Sequence, residues 1–390
     1  MKDLWAVAFW MDLLRPLKDR PFWNTETATC WNGSTAANGY KEPGFCRVNS
    51  WLPIALGGEA NLYWLWRAHW SGQELMHGSV VSSCGRPLHM IGEVQEIAAG
   101  FRKAEDFLNN TKPTPSGLGL HFSGNVWWLF KFQPMVNGFD YNQKILHTAY
   151  RPLMQMQLRP DVIDPAQSLE QYRLIFSPYL PALDEGRLRE RIYRWIEDGG
   201  TWVVGPLSDN RTLDATKYTQ SPFGSLEEWA GVYCKYEIPG DPRDFAVQWP
   251  DGHEEPGSVW YAGFEPRGAE VLATYNEGEL AGLAAVTRKA IGKGQIIVLG
   301  TMPRPEALQQ LLWEIGRGAG VTPVAKATPN LLVVPREGAA GKGIVAVELE
   351  NQPASISLSK PMTDILTGQR YAAGTVDLPA YSVTVFKEDE

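Results

Sequence analysis

The first third of the chain alternates helical and extended hydrophobic patterns. Apolar residues recur at helical spacing in residues 4–18 and 92–108, and residues 50–60 indicate a further helix that ends at a pair of glycines. Residues 20–26 and 61–69 are typical of strands. The second of these strands is apolar at nearly every position, as in a parallel sheet that is buried on both faces. The pattern therefore predicts helices packed against parallel strands.

A longer α/β pattern occupies residues 117–325. Strands and helices of ordinary length alternate there, and this alternation predicts a mostly parallel sheet. The predicted strands are residues 118–123, 172–178, 201–206, 270–276 and a hairpin over 283–300, and the predicted helices are residues 141–156, 185–200 and 305–320. We expect this region to form an α/β domain of its own.

The helical period disappears in residues 326–390. Short apolar runs between Gly and Pro turns predict a small antiparallel β-sandwich there. The Asn, Pro and Gly content of residues 109–117 indicates a linker. The chain is therefore predicted to contain three domains, at residues 1–105, 117–325 and 326–390.

Composition and charge narrow the classes of partner. The chain has 390 residues, of which 44% are hydrophobic, and a net charge of -8. A nucleic-acid partner would require a basic face, so this charge argues against one. No apolar run approaches the ~20 residues that span a bilayer, so no membrane partner is expected. The opening segment has the apolar centre of a secretion signal, but Asp3, Asp12 and the lack of a small-residue cleavage site favour an amphipathic helix.

The four cysteines are scattered along the chain, at Cys30, Cys46, Cys84 and Cys234. None lies at CxxC spacing or pairs with a histidine at zinc-ligand spacing, and the glycine strings lack the phosphate-loop pattern. The sequence therefore predicts no metal and no cofactor. Scattered thiols favour a reducing, cytoplasmic setting, and a disulfide between two of them stays open as an alternative.

Tryptophan is concentrated near the N-terminus, with eight of the 16 in the first 70 residues. Flat aromatic faces beside hydrogen-bonding groups bind sugar rings, whereas core packing accounts for large aromatics in any protein. The stretch RPFWNTETATCWNGS, residues 20–34, presents Glu26 among such aromatics at the end of a predicted strand. Glu26 is therefore a candidate catalytic carboxylate of a glycosidase, with an ordinary surface glutamate as the alternative.

Four parts of the chain carry a family resemblance. They are MDLLRPLKDRPFWNTE, SWLPIALGGEANLYWLWRAHWSGQELMHG, YRLIFSPYLPALDEGRLRERIYRWIEDGGTWVVGP, and TDILTGQRY with VDLPAYSVTVF. Together they resemble family 42 of the glycoside hydrolases, the retaining β-galactosidases with a trimer-forming middle domain. The resemblance implies an α/β protein in which residues 1–105 are the last part of a (β/α)8 barrel, residues 117–325 a glutamine-amidotransferase-like domain and residues 326–390 the terminal sandwich.

The resemblance also implies roles for three polar residues. Glu26 matches the nucleophile at the end of barrel strand seven. Glu74 and His77, which follow strand eight, match residues that hydrogen-bond the galactose hydroxyls. Their spacing of three positions puts both on one face of a helix.

The aromatic positions are implied in the same way. Trp64 matches an aromatic wall at the sugar, and Arg67 of the Trp-Arg pair would brace that wall. Trp64 and Trp66 alternate along the predicted strand, so only one of them faces the barrel interior. Trp31 corresponds to a platform on the aglycone side, in a CWNG stretch that reverses the family's Asn-Trp order.

A retaining glycosidase also needs a second carboxylate as its acid and base. In the family this glutamate lies at the end of strand four, and a complete barrel takes about 250 residues. Only 25 residues precede Glu26 in this sequence. We therefore expect the acid/base segment, and the zinc cysteines that the family clusters upstream, to lie outside this chain.

Two functions of different classes follow. The first is a β-galactosidase-type retaining hydrolase of terminal β-D-galactosides, present in truncated form. The second is a non-catalytic oligomerisation or galactoside-binding remnant of such an enzyme. The expected partners are a β-galactoside and either a homotrimer or a second chain that completes the barrel. A glutaminase is rejected, because the predicted strand ends of the middle region carry no cysteine nucleophile.

Overall fold

The computed structural model describes residues 3–18, 20–33, 39–135, 138–240 and 244–389. The chain divides into two compact units. One contains Met1–Pro115, Met154–Gln157 and Pro323–Glu390, and the other contains Ser116–Leu153 and Leu158–Thr322. The N-terminal α/β segment and the C-terminal strands therefore belong to the same unit.

The N-terminal segment places helices around a two-stranded sheet. Its elements are α1 (Leu4–Leu17), β1 (Trp23–Ala28), α2 (Phe45–Ala55), β2 (Ala60–Trp64), α3 (Ile91–Asn109) and β3 (Thr111–Pro113). The Asp3 carboxylate accepts hydrogen bonds from the backbone N–H groups of Trp5 and Ala6, and so caps α1. Trp5 on α1 and Trp51 on α2 are almost completely buried. The three predicted helices are confirmed, although α2 begins earlier than predicted, at Phe45.

β1 and β2 pair in parallel and, among the described residues, form a sheet of their own. The prediction of a strand over residues 61–69 that is buried on both faces is wrong. β2 ends at Trp64, and Leu62, Trp64 and Trp66 are 42%, 38% and 60% exposed. A parallel strand is buried only when neighbouring strands and helices cover both of its faces. Trp66 lies beyond the end of β2. The alternation of side chains along a strand therefore does not decide whether Trp64 or Trp66 faces inward.

The middle region contains one large sheet flanked by helices. Its elements are β4 (Leu118–His121), α4 (Gly124–Phe132), α5 (Tyr141–Ile145), α6 (Arg151–Gln155), β5 (Asp161–Ile163), β6 (Leu174–Ser177), α7 (Leu188–Glu197), β7 (Thr201–Val204), α8 (Leu226–Ala230), β8 (Val232–Pro239), β9 (Ala246–Gln248), β10 (Glu254–Pro256), β11 (Trp260–Pro266), β12 (Glu270–Tyr275), β13 (Ala284–Ile291), β14 (Gly294–Leu299) and α9 (Pro305–Gly318). A π-helical segment, Leu146–Tyr150, joins α5 to α6. No helix in the described part of the chain is both long and apolar enough to cross a membrane.

This sheet is mixed, so the prediction of a mostly parallel sheet is wrong. The strands β5, β4, β6, β7 and β14 are parallel neighbours in that order. β13 pairs antiparallel with β14, and the remaining strands continue in antiparallel pairs. Parallel neighbours need a long crossover, and the described residues between β8 and β14 contain no α-helix. Strands joined without such crossovers pair antiparallel.

The C-terminal strands form two antiparallel sheets around one apolar cluster. They are β15 (Lys326–Ala327), β16 (Leu331–Gly338), β17 (Gly341–Glu348), β18 (Ala354–Leu358), β19 (Met362–Asp364), β20 (Arg370–Tyr371), β21 (Gly374–Leu378) and β22 (Val383–Glu388). One sheet has the order β15-β18-β21 and the other the order β20-β19-β22-β17-β16-β3. Val333, Ile356 and Phe386 are among the residues buried in this cluster. Because β3 pairs with β16, part of the predicted linker is in fact a strand.

Arg336 on β16 ties these sheets to the N-terminal helices. The residue is 5% exposed, and its guanidinium donates hydrogen bonds to the carbonyl oxygens of Ile54, Ala55, Leu108 and Thr111. The carboxyl ends of helices leave carbonyl groups unpaired and favour a cation. Arg336 therefore fixes the ends of α2 and α3, which flank β1 and β2, on the C-terminal sheets.

Candidate active site

Glu26 lies on a β-bulge in β1. Between Asn24 and Thr27 this strand has one residue more than the facing stretch of β2. An extra residue bends a strand and re-aims its side chains, and such bulges are frequent beside active sites. Glu26 is exposed at this point, next to the buried Thr27.

Three hydrogen bonds hold the two sides of the bulge. The Asn24 amide donates to Asn61 Oδ1 at 2.8 Å and to Thr27 Oγ1 at 2.5 Å. Thr27 Oγ1 donates to the same Asn61 oxygen at 2.6 Å. Thr27 is 4% exposed, so water has little access to compete for these bonds. The backbone that carries Glu26 is therefore well fixed.

The Glu26 carboxylate itself is left open. It makes no hydrogen bond and no ion pair within the described ranges of the chain, and it is exposed to solvent. A carboxylate with both oxygens unoccupied can attack an electrophilic carbon or accept hydrogen bonds from a ligand.

Trp64 and Glu74 form the second part of the site. The indole Nε1–H of Trp64 donates to Oε2 of Glu74 at 2.7 Å. The ring of His69 lies beside Trp64, with centroids 5.8 Å apart, and its Nε2 is 3.7 Å from the same carboxylate oxygen. Oε1 of Glu74 has no hydrogen-bond partner among the residues that the structure describes. One oxygen of Glu74 is therefore positioned by the protein, and the other is available to a ligand.

Glu74 and His77 lie in a turn, so the prediction that they share a helix face is wrong. The His77 backbone N–H donates to the Glu74 carbonyl at 3.0 Å, which closes the turn and keeps the two residues adjacent. His77 is 9% exposed, and its Nδ1 is 2.8 Å from the Gly78 carbonyl oxygen. Because a carbonyl only accepts, Nδ1 is the donor in this bond, and in that tautomer Nε2 can accept from a ligand hydroxyl.

Trp31 is fixed against the same loop. Its Nε1–H donates to the Met76 carbonyl at 2.7 Å, and the Gly78 N–H donates to the Trp31 carbonyl at 3.1 Å. A Cβ at Gly78 would lie 2.8 Å from the Trp31 oxygen, so only glycine allows this approach. Met76 stands between Glu74 and His77 in the chain. Trp31 therefore borders the turn that carries the two polar residues.

Arg67 holds a different loop. Its Nε and Nη2 donate to the Ser83 carbonyl at 2.9 and 2.7 Å, and its backbone forms a bridge with Val81. It makes no ring contact with Trp64 in the described residues. The place beside Trp64 that the resemblance implied for Arg67 is taken by His69.

The structure brings most of the predicted site residues together. Four are joined by the contacts above, namely Trp31, Trp64, Glu74 and His77. Glu26 joins them through the sheet, because Ala28, two residues further along β1, pairs with Trp64. Arg67 is the member that lies outside this cluster.

Sequence reasoning missed two histidines. His69 packs beside Trp64, and His89 stacks on Trp31 with centroids 6.2 Å apart. The sequence did contain an indication that His69 lies at the site, because it follows the end of a strand in the aromatic stretch WRAHW. The sequence contained no such indication for His89, since no periodic pattern relates it to Trp31.

The middle region has a polar cluster of its own at the carboxyl ends of β4 and β6, beside Trp202 of β7. Nδ1 of His121 lies 2.7 Å from Oγ of Ser177, which also accepts from Nε1–H of Trp202 at 2.8 Å. The three residues are at most 1% exposed. Burial, with Arg191 nearby, lowers the pKa of His121 to about 3, so the ring is neutral. This cluster is closed to ligands.

The four cysteines are all free, which removes the alternative of a disulfide. A hydrogen bond with Ser82 lowers the pKa of the exposed Cys84 thiol, which lies outside the middle region. Burial and a nearby glutamate raise the pKa of Cys46 and of Cys234 to about 12, so both thiols stay protonated. Cys234 lies on β8 rather than at a strand-to-helix elbow. The protonated thiol of Cys234 and its position on a strand therefore argue against a glutaminase, in addition to the sequence.

Two family models match the chain. One, described as a β-galactosidase trimerisation domain, matches residues 117–322, which is more than half of the chain. The other, described as β-galactosidase, matches residues 2–104. With the strand-end carboxylate and its aromatic neighbours, these matches place the chain among the glycoside hydrolases. Within that class, the chain belongs to family 42, the β-galactosidases.

Individual relatives agree with this assignment. The chain is 31% identical over 388 residues to β-galactosidase YesZ of Bacillus licheniformis and 28% identical over 389 residues to YesZ of Bacillus subtilis. A β-galactosidase from Bacillus circulans sp. alkalophilus has the same fold, with a TM-score of 0.92 at 20% identity over 99% of this chain. A catalytic mutant of Gan42B, a GH42 β-galactosidase from G. stearothermophilus, gives 0.90 at 23% identity over 99% of this chain.

The matches cover only part of each relative. The alignments take in 97% of this chain but 58% and 57% of the two YesZ proteins. The superpositions take in 58% of the B. circulans chain and 56% of the Gan42B chain. This chain thus spans a little more than half the length of the relatives that it matches.

Proposed function

We propose that this chain carries the nucleophile and the galactose-binding residues of a retaining β-galactosidase that hydrolyses terminal β-D-galactosides. The observation that carries the proposal is the open carboxylate of Glu26 on the bulge of β1, beside the strand that ends at Trp64. Trp64 in turn holds Glu74 through its indole N–H. A nucleophilic carboxylate, a flat apolar face and acceptors for sugar hydroxyls are what galactosyl transfer requires.

In the proposed complex the galactose ring lies on the face of Trp64. Oε1 of Glu74 and Nε2 of His77 accept hydrogen bonds from its hydroxyls, and Trp31 packs against the aglycone. Both acceptors are positioned before a ligand arrives, Glu74 by the indole and His77 by the Gly78 carbonyl. Groups that are already ordered lose little freedom on binding, which favours affinity.

The proposed reaction begins when a Glu26 oxygen attacks the anomeric carbon. A glycosyl ester forms, the bond to the departing oxygen breaks, and its electron pair leaves with the aglycone. A carboxylic acid about 5 to 5.5 Å from the nucleophile protonates that oxygen and later activates the water that hydrolyses the ester. We propose that this second carboxylate belongs to a part of the barrel other than residues 1–105. Glu74 does not replace it, because Trp64 and the sugar hydroxyls occupy its oxygens in this arrangement.

The proposal extends to assembly and location. The model that matches residues 117–322 is described as a trimerisation domain, which supports a homotrimer, with a second chain that completes the barrel as the other arrangement. Four free cysteines support a reducing compartment such as the cytoplasm. Sedimentation of the purified chain, alone and from its native host, measures which assembly forms.

A galactoside with a strongly activated leaving group, 2,4-dinitrophenyl β-D-galactoside, tests Glu26 directly. Its aryl oxide departs without being protonated, so the first step does not depend on the acid carboxylate. Without a base at hand, the resulting ester hydrolyses slowly and accumulates. We expect a burst of dinitrophenolate and, in mass spectrometry of the digested protein, a Glu26 peptide heavier by one galactosyl group.

Two variants complete this experiment. Glu26→Gln should give neither burst nor adduct. Glu59→Gln, which removes an exposed glutamate directly before β2, should react as the unmodified chain does. An adduct on another residue would contradict the nucleophile assignment. Galactose binding without any adduct would contradict the catalytic role and favour the non-catalytic galactoside-binding alternative.

A further inference from the structure

We infer that the outer face of α4, formed by Asn125, Trp128 and Phe132, is the surface on which a second copy of this chain docks. The inference rests on the homotrimer that forms part of the proposed function, and it deepens that proposal by assigning one contact to one helix. A ring of three copies joins two different surfaces of each copy. The outer face of α4 therefore meets a different surface of its neighbour.

α4 is apolar on both of its sides. Its inner side packs Val126, Leu129 and Phe130 into the core at helical spacing. On the outer side, Trp128 and Phe132 lie one helical turn apart and are 64% and 79% exposed. They are the two most exposed large apolar side chains among the described residues of the middle region. A helix that is apolar all round is normally buried, so a partner is expected on the outer side.

α7 shows the contrasting pattern in the same region. It also buries one apolar side, with Ile192 and Ile196 in the core. Its exposed positions, however, are Glu190, Arg194 and Glu197. Charged residues of both signs are typical of a helix side that stays in water. The aromatic outer side of α4 is therefore not a general property of helices in this region.

Hydrogen bonds fix α4 at both ends. Ser123 caps its first turn and donates to Oε2 of Glu185 at 2.7 Å. At the other end, the Gln133 amide donates to the Ala215 carbonyl at 3.0 Å, and its oxygen accepts from Arg211 at 2.7 Å. The exposed aromatics thus stand on a well-anchored helix. A surface that is already ordered loses little freedom when a partner docks on it.

The outer face has the composition of the centre of an interface. Trp128 stacks on the half-buried Trp127, with centroids 5.6 Å apart, and Nζ of Lys131 lies 4.9 Å from the centroid of Trp127. Aromatic residues are enriched at the centres of interfaces, with polar groups such as Asn125 and Lys131 at the rim. Trp128 and Phe132 together would bury on the order of 300 Å². Because each partner of a stable interface buries about 800 Å², they would form the centre of a larger contact.

A second copy is the occupant that the other observations favour. α4 lies within residues 117–322, the part of the chain that matches a trimerisation domain. The chain has a net charge of -8, so copies of it repel one another at most surfaces. α4 contains neither Asp nor Glu. Two copies can therefore approach through this helix without placing carboxylates of α4 against those of the neighbour.

Sedimentation velocity of the full chain over a series of concentrations tests this face. We expect the unmodified chain to form a trimer. The double substitution Trp128→Glu with Phe132→Glu should raise the concentration needed for assembly at least a hundredfold, because central aromatics carry much of the binding energy of an interface. Trp128→Phe with Phe132→Leu, which keeps the face apolar, should still assemble.

Three further variants guard against a trivial loss of assembly. Trp128→Gln and Phe132→Gln, each alone, are milder changes and should give smaller shifts in the same direction. All α4 variants should keep the circular dichroism spectrum and thermal midpoint of the unmodified chain, since neither side chain lies in the core. Trp70→Glu is the matched control, because it places the same charge at an 85% exposed aromatic outside α4. It should leave the trimer unchanged.

The possible failures are distinguishable. A trimer that survives the double substitution, or one that Trp70→Glu disrupts equally, would overturn the assignment to α4 and leave the homotrimer standing. A chain that stays monomeric at every concentration would overturn both, while the galactosyl adduct on Glu26 tests the nucleophile independently. Binding of a different chain from the native host, lost in the α4 variants, would give the face another occupant and overturn the inference.

Discussion

Glu26 and Trp64, near the carboxyl ends of β1 and β2, are exposed to solvent. In contrast, His121 and Ser177, at the carboxyl ends of β4 and β6, are enclosed together with Trp202 of β7. Glu26 is exposed and Trp64 is 38% exposed. In the middle region, His121, Ser177 and Trp202 are 1%, 0% and 0% exposed. Both places combine titratable or polar groups with tryptophan on parallel strands, yet only the first is accessible to a ligand.

The two tryptophans show what separates these places. Each donates its indole N–H to a polar side chain, Trp64 to Glu74 at 2.7 Å and Trp202 to Ser177 at 2.8 Å. Glu74 keeps a second oxygen without a partner in the described ranges, while Ser177 is also bonded to His121. Strand-end polar groups therefore indicate a ligand site where they are accessible and incompletely bonded. Where they are sealed in the core, they are not available to a ligand, even though Nε2 of His121 has no hydrogen-bond partner within the described residues.

The largest expected difference between the two places is in stability. Trp202→Ala empties a large buried volume and leaves Ser177 without its indole donor, so we expect a loss of about 3 to 5 kcal/mol in the free energy of unfolding. Trp70 is 85% exposed. Trp70→Ala should change the free energy of unfolding by less than about 0.5 kcal/mol. Urea unfolding followed by circular dichroism measures both, and equal losses would contradict the comparison.

Acid should weaken the enclosed cluster. Burial lowers the pKa of His121 from 6.5 to about 3, so between these pH values the unfolded chain binds a proton that the folded chain does not. Stability is therefore fully present above about pH 6.5 and falls as the pH drops, by about 1.4 kcal/mol per unit. We expect a loss of about 2 kcal/mol between pH 7 and pH 5. His121→Gln, which does not titrate, should lack this part of the pH dependence in urea unfolding.

The smallest expected effect is a change in galactose affinity, and it tests the hydrogen bond between Trp64 and Glu74. Trp64→Phe keeps a flat ring and removes the N–H that holds Glu74, so we expect galactose binding to weaken about fivefold, a modest effect because both groups are partly exposed. The free energy of unfolding should change by less than about 0.5 kcal/mol. Trp66→Phe, at a 60% exposed position without such a bond, is the control in the same titration. An equal loss in both variants would argue against the indole bond.

Local periodicity predicted much of the fold. The helices α1, α3, α7 and α9 are present where the spacing of apolar residues indicated, because a helix buries one face every 3.6 residues whatever its partner is. The antiparallel part of the middle sheet was not predictable in this way, since strands pair with partners that are distant in the chain. The spacing of Glu74 and His77 fits both a helix and a turn, so it did not distinguish them.

The amino-acid sequence by itself determined which chemical groups stand near the ends of the strands, namely Glu26, Trp31, Trp64, Glu74 and His77. Only the tertiary structure decided which of them are accessible, which are bonded to one another, and that His69 and His89 join them. The physical reason is that sequence patterns and tertiary contacts relate residues at different separations along the chain. Periodicity relates neighbours along the chain, whereas hydrogen bonds and ring contacts act over a few ångströms between residues such as Trp31 and Met76, which are 45 positions apart.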